Sequence, residues 1–343
     1  MEMMNKSERL ELLSALGSEL SNWQEEFGSE ALQAYHANNW FTKDNVRLAL
    51  KAICDRFLER SQLFFWADSY PVTQVKPKKI GLIMAGNLPL VGFQDMLAVF
   101  VAGHQALIKL SSKDEVLMKF ILDKMNQLDP RTKEHFFLVD RIQSPDAVIA
   151  TGSNNSGRYF EYYFGKYPHI IRKNRNSLGI ISGNETRVEL EALCHDFLDF
   201  FGLGCRNVSK IYIPEKYDFK LLWDSLDSFA ELRNHHKYMN NYDYNYAVYL
   251  LNNETFFTNG FLILKEDTSL LSRIACVHYE YYTDLNVVIS EIEAAKDQVQ
   301  CVASGTGKLT GMKNEVKFGL TQQPGLFDYA DGVDTMEFLI HLE

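Results

Sequence analysis

The chain has 343 residues, 46% of them hydrophobic and 23% charged, which is enough apolar material for about two domains of ordinary size. Its formal net charge of −10 excludes a surface built to neutralise phosphates, so neither nucleic acid nor an anionic membrane is an expected partner. The five cysteines (Cys54, Cys194, Cys205, Cys276 and Cys301) are odd in number and irregularly spaced, without a C-x-x-C pair or a histidine at zinc-finger distance, which argues against a disulfide framework and against a zinc site. The opening MEMMNKSERLELLSAL mixes Glu and Lys among its apolar residues, and the longest apolar runs, near 88–101 and 247–251, fall short of a bilayer span. A cytoplasmic protein with reduced thiols is expected.

Residues 7–66 read as several amphipathic helices, because Leu10, Leu13, Leu16 and Leu20, then Val46, Ala49, Ala52, Ile53 and Phe57, recur at three- and four-residue spacing. From Lys79 the pattern changes. A β-type run IGLIM, a glycine-containing turn AGNLPL, a helical stretch to Ala102 and a second strand ALIKL make a βαβ unit, and therefore a parallel sheet. A helix over 115–128, strands FFLV and AVIATG, and a helix over 156–163 continue the alternation of a doubly wound nucleotide-binding sheet. The strand LGIIS leads to a helix over 188–201, the loop GLGC and the strand KIYIP. Beyond it the pattern predicts a helix over 219–234, strands in YAVYLL and GFLILK, a strand and helix to about Lys296, and a closing strand pair, VQCVAS and FLIHL.

Cys205 stands out in FFGLGCRNVSKIYIP, in a Gly-x-Gly-Cys turn directly before a strand. Two glycines permit backbone geometry that a side chain would block, so a thiol nucleophile and its own amide N–H as oxyanion donor can share one turn. Most cysteines are core filler, and Cys54, Cys194, Cys276 and Cys301, in helix or strand patterns, are read that way. Asn87 follows a strand where an α/β sheet presents ligand-binding groups, and its amide can donate to an oxyanion, although an Asn there is commonly just a turn residue. Lys109 ends the next strand, within reach of a ribose or phosphate, or simply solvated. Thr151-Gly152-Ser153 ends a strand and opens a helix whose amides can meet a pyrophosphate, although such residues also serve as ordinary helix caps. The pair His235-His236 and His278 lack a carboxylate or Cys at ligand spacing, so no metal site is read.

In order and context these segments resemble the aldehyde dehydrogenase superfamily, specifically its LuxC-like acyl-CoA reductase branch, from about Lys79 onward. AGNLPL resembles the superfamily's Asn-containing loop, which implies that Asn87 is an oxyanion donor. ALIKLSS resembles its Lys segment, implying Lys109 on the adenosine ribose. ATGSNNSG is similar to its T-G-S-x-x-x-G helix start, implying Thr151, Gly152, Ser153 and Gly157 at the nicotinamide or pyrophosphate. GLGC is similar to its nucleophile loop, implying Cys205 as acyl acceptor.

The implied fold is α/β and aldehyde-dehydrogenase-like: a helical N-terminus and Rossmann-type parallel-sheet NADP-binding domain over 1–182, and a second α/β catalytic domain over 183–309. Residues 310–343 would return to the first domain or form an oligomerisation strand.

Two departures shape the expected activity. Arg172 or Lys173 stands where oxidising members carry the Glu that activates water for thioester hydrolysis. Ser112, followed by Lys113, replaces the Glu that accepts from the ribose hydroxyls in NAD-preferring relatives, and exchanging a carboxylate for a cation suits a 2′-phosphate. The expectation is an acyl-CoA reductase that forms a Cys205 thioester and yields the aldehyde, with a fatty acyl-CoA as substrate and NADPH as cofactor, NADH being the alternative. A homo-oligomer and, by family association, an acyl-transferase or acyl-protein synthetase partner are also implied. The rival readings are an NAD(P)-dependent oxidoreductase of free aldehydes or acyl phosphates, and a non-redox acyl-carrying scaffold.

Overall fold

A computed structural model describes residues 3–26, 29–71, 76–152 and 154–342. The chain divides into two units, Met1–Asn174 with Pro324–Glu343, and Arg175–Gln323. The first opens with four helices, α1 (Lys6–Glu26), α2 (Ser29–Ala37), α3 (Lys43–Arg56) and α4 (Arg60–Asp68). Leu10, Leu13, Leu16 and Leu20 turn one face of α1 inward, and all four are buried. Thr42 and Glu59 start α3 and α4 by accepting hydrogen bonds from first-turn amides that lack helical partners.

A five-stranded parallel sheet follows, built from β1 (Lys79–Ile83), β2 (Gln105–Lys109), β3 (Phe136–Leu138), β4 (Ala147–Thr151) and β5 (His169–Arg172) in the order β3-β2-β1-β4-β5. Helices α5 (Phe93–Ala102), α6 (Glu115–Leu128) and α7 (Asn154–Phe164) provide crossovers. From β1 the chain moves outward to β2 and β3, then returns to the other side of β1 for β4 and β5. The direction of winding therefore reverses between β1 and β4, where such sheets open a ligand crevice at their carboxyl edge. Helix α5 is apolar around most of its circumference because it packs on both β1 and β2 and on α1.

The second unit contains β6 (Asn176–Ile180), α8 (Arg187–Leu198), β7 (Val208–Pro214), α9 (Lys220–Ser225), α10 (His236–Leu251), β8 (Phe257–Thr258), β9 (Ile263–Glu266), β10 (Cys276–Tyr282), α11 (Leu285–Ala294), β11 (Val299–Ser304) and β12 (Glu315–Lys317). Its sheet runs β12-β11-β6-β7-β10-β9-β8, parallel except for the β8 edge. The unit starts at Arg175 rather than at 183 and extends to Gln323 rather than 309. Strand β6, assigned from sequence to the first domain, is a central strand of the second sheet.

No helix crosses between the parallel strands β9 and β10. The segment between them is stapled to the sheet instead: Ser209 Oγ donates to Leu270 O at 2.6 Å, Lys210 Nζ to Thr268 O at 2.8 Å, and His278 Nδ1 lies 2.9 Å from Ser269 O. These bonds satisfy backbone carbonyls that a crossover helix would have paired internally. Lys210 is buried, and its charge is met by Glu280 and by the Tyr212 ring.

The last 20 residues rejoin the first unit as helix α12 (Thr335–Ile340), which packs on α5. FLIHL, predicted as a strand, lies mostly in this helix: Asp334 caps the Glu337 amide at 2.9 Å, and Met336 and Leu339 are buried at helical spacing. The run DYADGVDTM, for which the sequence offers no physical reason, has one here. Trp66 Nε1 donates to Tyr329 Oη at 2.7 Å, Tyr70 Oη lies 2.7 Å from the same oxygen, and Tyr70 also donates to Asp334 Oδ2 at 2.7 Å.

YAVYLL is likewise the end of α10 and not a strand. Tyr238, Tyr242, Asn245 and Tyr249 are buried at spacings of four, three and four, so the period of the whole helix overrides the β-forming residues of its last turns. The helix predicted over 188–201 ends at Leu198, and that over 219–234 is α9 followed by a 3-10 segment, Asp227–Asn234.

Asp196, on α8, is buried and accepts from Gly319 N, Thr321 N and Thr321 Oγ1 at 2.7, 3.1 and 2.7 Å, fixing the chain beyond β12. Burial outweighs these donors and pushes its carboxyl up to about 6. The folded-state value exceeds that of the unfolded chain, so the group favours folding at low pH. That contribution is lost as pH rises from about 4 to about 6. Asp196→Asn should flatten this pH dependence, by an amount on the order of 3 kcal/mol at most, when unfolding midpoints of the two proteins are compared from pH 4 to 7.

Candidate active site

The connection from α8 to β7 has an unusual backbone. After Asp199, Phe200 (φ 52°, ψ 25°) and Phe201 (φ 62°, ψ 27°) are both left-handed, and Gly202 and Gly204 follow with φ of 73° and 96°. The glycines accept this conformation freely, whereas each phenylalanine costs about 1–2 kcal/mol. Packing holds them there. Both rings are buried, and Phe201 stacks on His235 with centroids 4.1 Å apart. His235 is itself fixed, its Nδ1 accepting from Tyr238 N at 3.1 Å to cap α10. The turn delivers Cys205 three residues before β7, half-buried, whereas Cys54, Cys194, Cys276 and Cys301 are buried.

Ser177 anchors the far side of this turn. Its Oγ donates to Cys205 O at 3.0 Å, accepts from Cys301 N at 3.2 Å, and lies 3.0 Å from Cys301 Sγ. A hydroxyl has one proton and two lone pairs. With the proton committed to Cys205 O, the Cys301 thiol must donate to Ser177, which agrees with burial pushing that thiol up to about 11. Cys301 is therefore a protonated structural partner. A cavity of about 360 Å³, lined among others by Ser182, Glu185, Tyr217 and Asp218, lies at the other end of β7 and does not include Cys205.

In the first unit, the other predicted residues collect at the carboxyl edge of the sheet. Asn87 is exposed in the loop after β1, Lys109 ends β2, Ser112 is exposed just beyond it, and Thr151 and Gly152 end β4. Asn87 and Thr151 thus stand at the ends of the adjacent strands β1 and β4, where the winding reverses, with Lys109 and Ser112 at the end of β2, one strand away. Lys109 Nζ donates to Asp140 O at 3.1 Å. A Cβ on Gly152 would come within 2.9 Å of both Phe160 and Ser156, so the close packing of this turn against α7 requires glycine. Gly157 is buried on α7, and Ser153 lies outside the described residues.

Arg172 ends β5 and is buried, with Nη1 paired to Asp95 on α5 and Nη2 donating to Thr335 Oγ1 at 3.0 Å. It is a clamp between β5, α5 and α12. Lys173, the other candidate for this position, forms an exposed ion pair with Glu161 at 2.9 Å. Sequence reasoning missed Ser177, His235 and Asp95, because each acts through a partner at least 28 residues away. No local signal marks such pairs.

Among the described residues, no group of three or more His, Cys, Asp or Glu side chains is arranged to hold a metal, and no helix is long and apolar enough to cross a membrane. No family model and no curated protein matches the sequence. Solved structures do match. Aldehyde dehydrogenase 21 from Physcomitrella patens, in complex with succinate, has a TM-score of 0.66 at 14% identity, over 88% of this chain and 73% of that one. An aldehyde dehydrogenase from Bacillus cereus in complex with NAD+ has a TM-score of 0.63 at 14% identity, over 90% and 74%. The NADP-dependent glyceraldehyde-3-phosphate dehydrogenase of Bacillus halodurans, with NADP, has a TM-score of 0.63 at 10% identity, over 92% and 78%. With a parallel sheet whose winding reverses between β1 and β4, a second mixed sheet in which a cysteine turn precedes β7, and a helical N-terminus, the chain has the aldehyde-dehydrogenase fold.

Proposed function

We propose that the protein is an NAD(P)-dependent aldehyde-forming oxidoreductase, and specifically an NADPH-using reductase of acyl-CoA, most suited to fatty acyl chains. Arg172 is the observation that carries the reductive reading. Where the resemblance puts the water-activating carboxylate of oxidising enzymes, this chain has Arg172 or Lys173, the first buried and paired with Asp95, the second exposed and paired with Glu161, and in either case a cation. A cation that keeps its proton at neutral pH cannot act as a general base, so a thioester on Cys205 has no hydrolytic partner from this position.

The residues at the carboxyl edge of the first sheet fit a dinucleotide. Gly152 stands just ahead of α7, whose first-turn amides suit a pyrophosphate, and Lys109 stands at the end of β2 for the adenosine ribose. Thr151 and Gly157 complete this helix start, with Ser153 between them in sequence. Ser112 and Lys113, both exposed, offer a hydroxyl and a cation instead of a carboxylate, which favours a 2′-phosphate and hence NADPH over NADH. When bound, the nicotinamide supplies a hydride.

The protein's own part begins at Cys205. Its thiolate attacks the acyl carbonyl carbon; the Cys205 backbone N–H is one donor to the resulting oxyanion, and the resemblance implies the Asn87 amide as the other. The C–S bond to CoA breaks and the thiolate of CoA departs with the bonding pair, leaving a Cys205 thioester. After reduction of that carbonyl the same two donors hold the second oxyanion, which collapses to aldehyde and returns the electron pair to the Cys205 sulfur. The strained turn matters here because a nucleophile fixed in advance loses little freedom on reaction.

Acyl-CoAs of graded chain length, incubated with NADPH, test the reading. One CoA and one aldehyde should appear per NADPH oxidised. Activity confined to acyl phosphates or free aldehydes would replace it with the wider aldehyde oxidoreductase reading. Acylation of Cys205 without NADPH consumption would favour an acyl-carrying scaffold, and a homo-oligomer or acyl-transfer partner would then be sought on that basis.

A further inference from the structure

Asp114 is spent in an unexpected way. It stands at the N-cap of α6, where an Asp ordinarily accepts from the first-turn amides, yet its side chain makes no capping bond. Instead Oδ2 accepts from the Leu90 amide at 2.7 Å, while among the described residues nothing donates to Oδ1. Asp114 is 2% exposed, and burial raises its carboxyl well above the usual carboxylate range. A residue that forgoes its cap and buries an unsatisfied carboxyl oxygen is one whose local stability has been given up for something else.

What it holds is the loop carrying Asn87. Leu90 has φ 59°, a left-handed conformation after Pro89 at a position where such turns ordinarily take glycine. Its side chain is 3% exposed, so the strain is retained by burial on one side and by Asp114 on the other. The same two loops meet again close by. A Cβ on Gly86 would lie 2.5 Å from Ser111 Oγ, and Asn38 Nδ2 reaches both Gly86 O and Lys113 O, at 3.5 and 3.4 Å. The loop after β1 and the loop after β2 are thereby bolted together, and they carry Asn87 and Lys109-Ser112 respectively.

We infer that Asp114 is a positioning residue that sets Asn87 through the Leu90 amide and ties it to the loop that meets the adenosine ribose. This rests on Asn87 acting as the oxyanion donor proposed above. Asp114 touches no reacting atom. Its task is to keep a strained loop from relaxing, and a displacement of about 1 Å at such a donor lowers turnover by up to about a hundredfold.

Asp114→Ser separates this role from plain stability. Serine is a good N-cap for α6 and removes the buried carboxyl, but it is too short to reach the Leu90 amide. The variant should therefore unfold at or above the wild-type midpoint and bind NADPH within about twofold of wild type in a fluorescence titration. Its kcat, with the acyl-CoA that wild type reduces fastest, should fall about tenfold or more. Asp114→Asn, which keeps an acceptor for Leu90, should recover most of that loss. In an Asn87→Ala background, Asp114→Ser should cost less than about twofold further, because the group it positions is gone.

Wild-type kcat in Asp114→Ser, or a full additional loss in the Asn87→Ala background, would overturn the positioning role. If Asn87→Ala alone left kcat unchanged, the oxyanion assignment itself would fall, and the role of Asp114 with it.

Discussion

Cys205→Ser should lower NADPH-dependent aldehyde formation from acyl-CoA by about a thousandfold or more, with no covalent acyl-enzyme detectable by intact-protein mass spectrometry. The size follows from the chemistry: a serine hydroxyl in the same turn lacks the nucleophilicity of a thiolate. The matched control is Cys301→Ser. That thiol is buried, protonated and hydrogen-bonded to Ser177, so its replacement should leave turnover within about threefold. Iodoacetamide should label Cys205 first, because the other four cysteines are buried. Aldehyde production undiminished in Cys205→Ser would remove the thioester mechanism altogether.

The second large effect is expected at Arg172. Arg172→Glu should destabilise the first unit by about 3–5 kcal/mol, because the new carboxylate would face Asp95 in a buried site already stripped of water. For a unit of this size that is a fall of about 10 °C or more in thermal midpoint. The substitution should not by itself give NAD(P)-dependent aldehyde oxidation, since it breaks the clamp between β5, α5 and α12 that holds the position. The pair Arg172→Met with Asp95→Leu should recover most of the stability, because two apolar residues leave no charge uncompensated. A folded Arg172→Glu protein that converts aldehyde to acid would show that a carboxylate at this position suffices to activate water against the thioester.

Much of the fold was legible from local pattern. The leucine spacing of α1, the strand-turn-helix rhythm from β1 to α7, and the Gly-x-Gly-Cys turn ahead of β7 are short-range features, and each matches the described structure within a few residues. Composition misled where it disagreed with period and tertiary packing: the last turns of α10 and most of FLIHL are rich in β-forming residues, but the buried faces of α10 and α12 have helical spacing.

What the sequence by itself determined about this protein is the order of its elements and the residue types available at each strand end, including a cysteine beside two glycines and an Arg-Lys pair at the end of β5. Only the tertiary structure decided what those residues do to one another. Arg172 finds Asp95 across 77 positions, Ser177 finds Cys205 and Cys301 across 28 and 124, and Asp114 leaves its own helix to hold Leu90, 24 residues earlier. A hydrogen bond or ion pair depends on distance in space, and propensity and period report only distance along the chain.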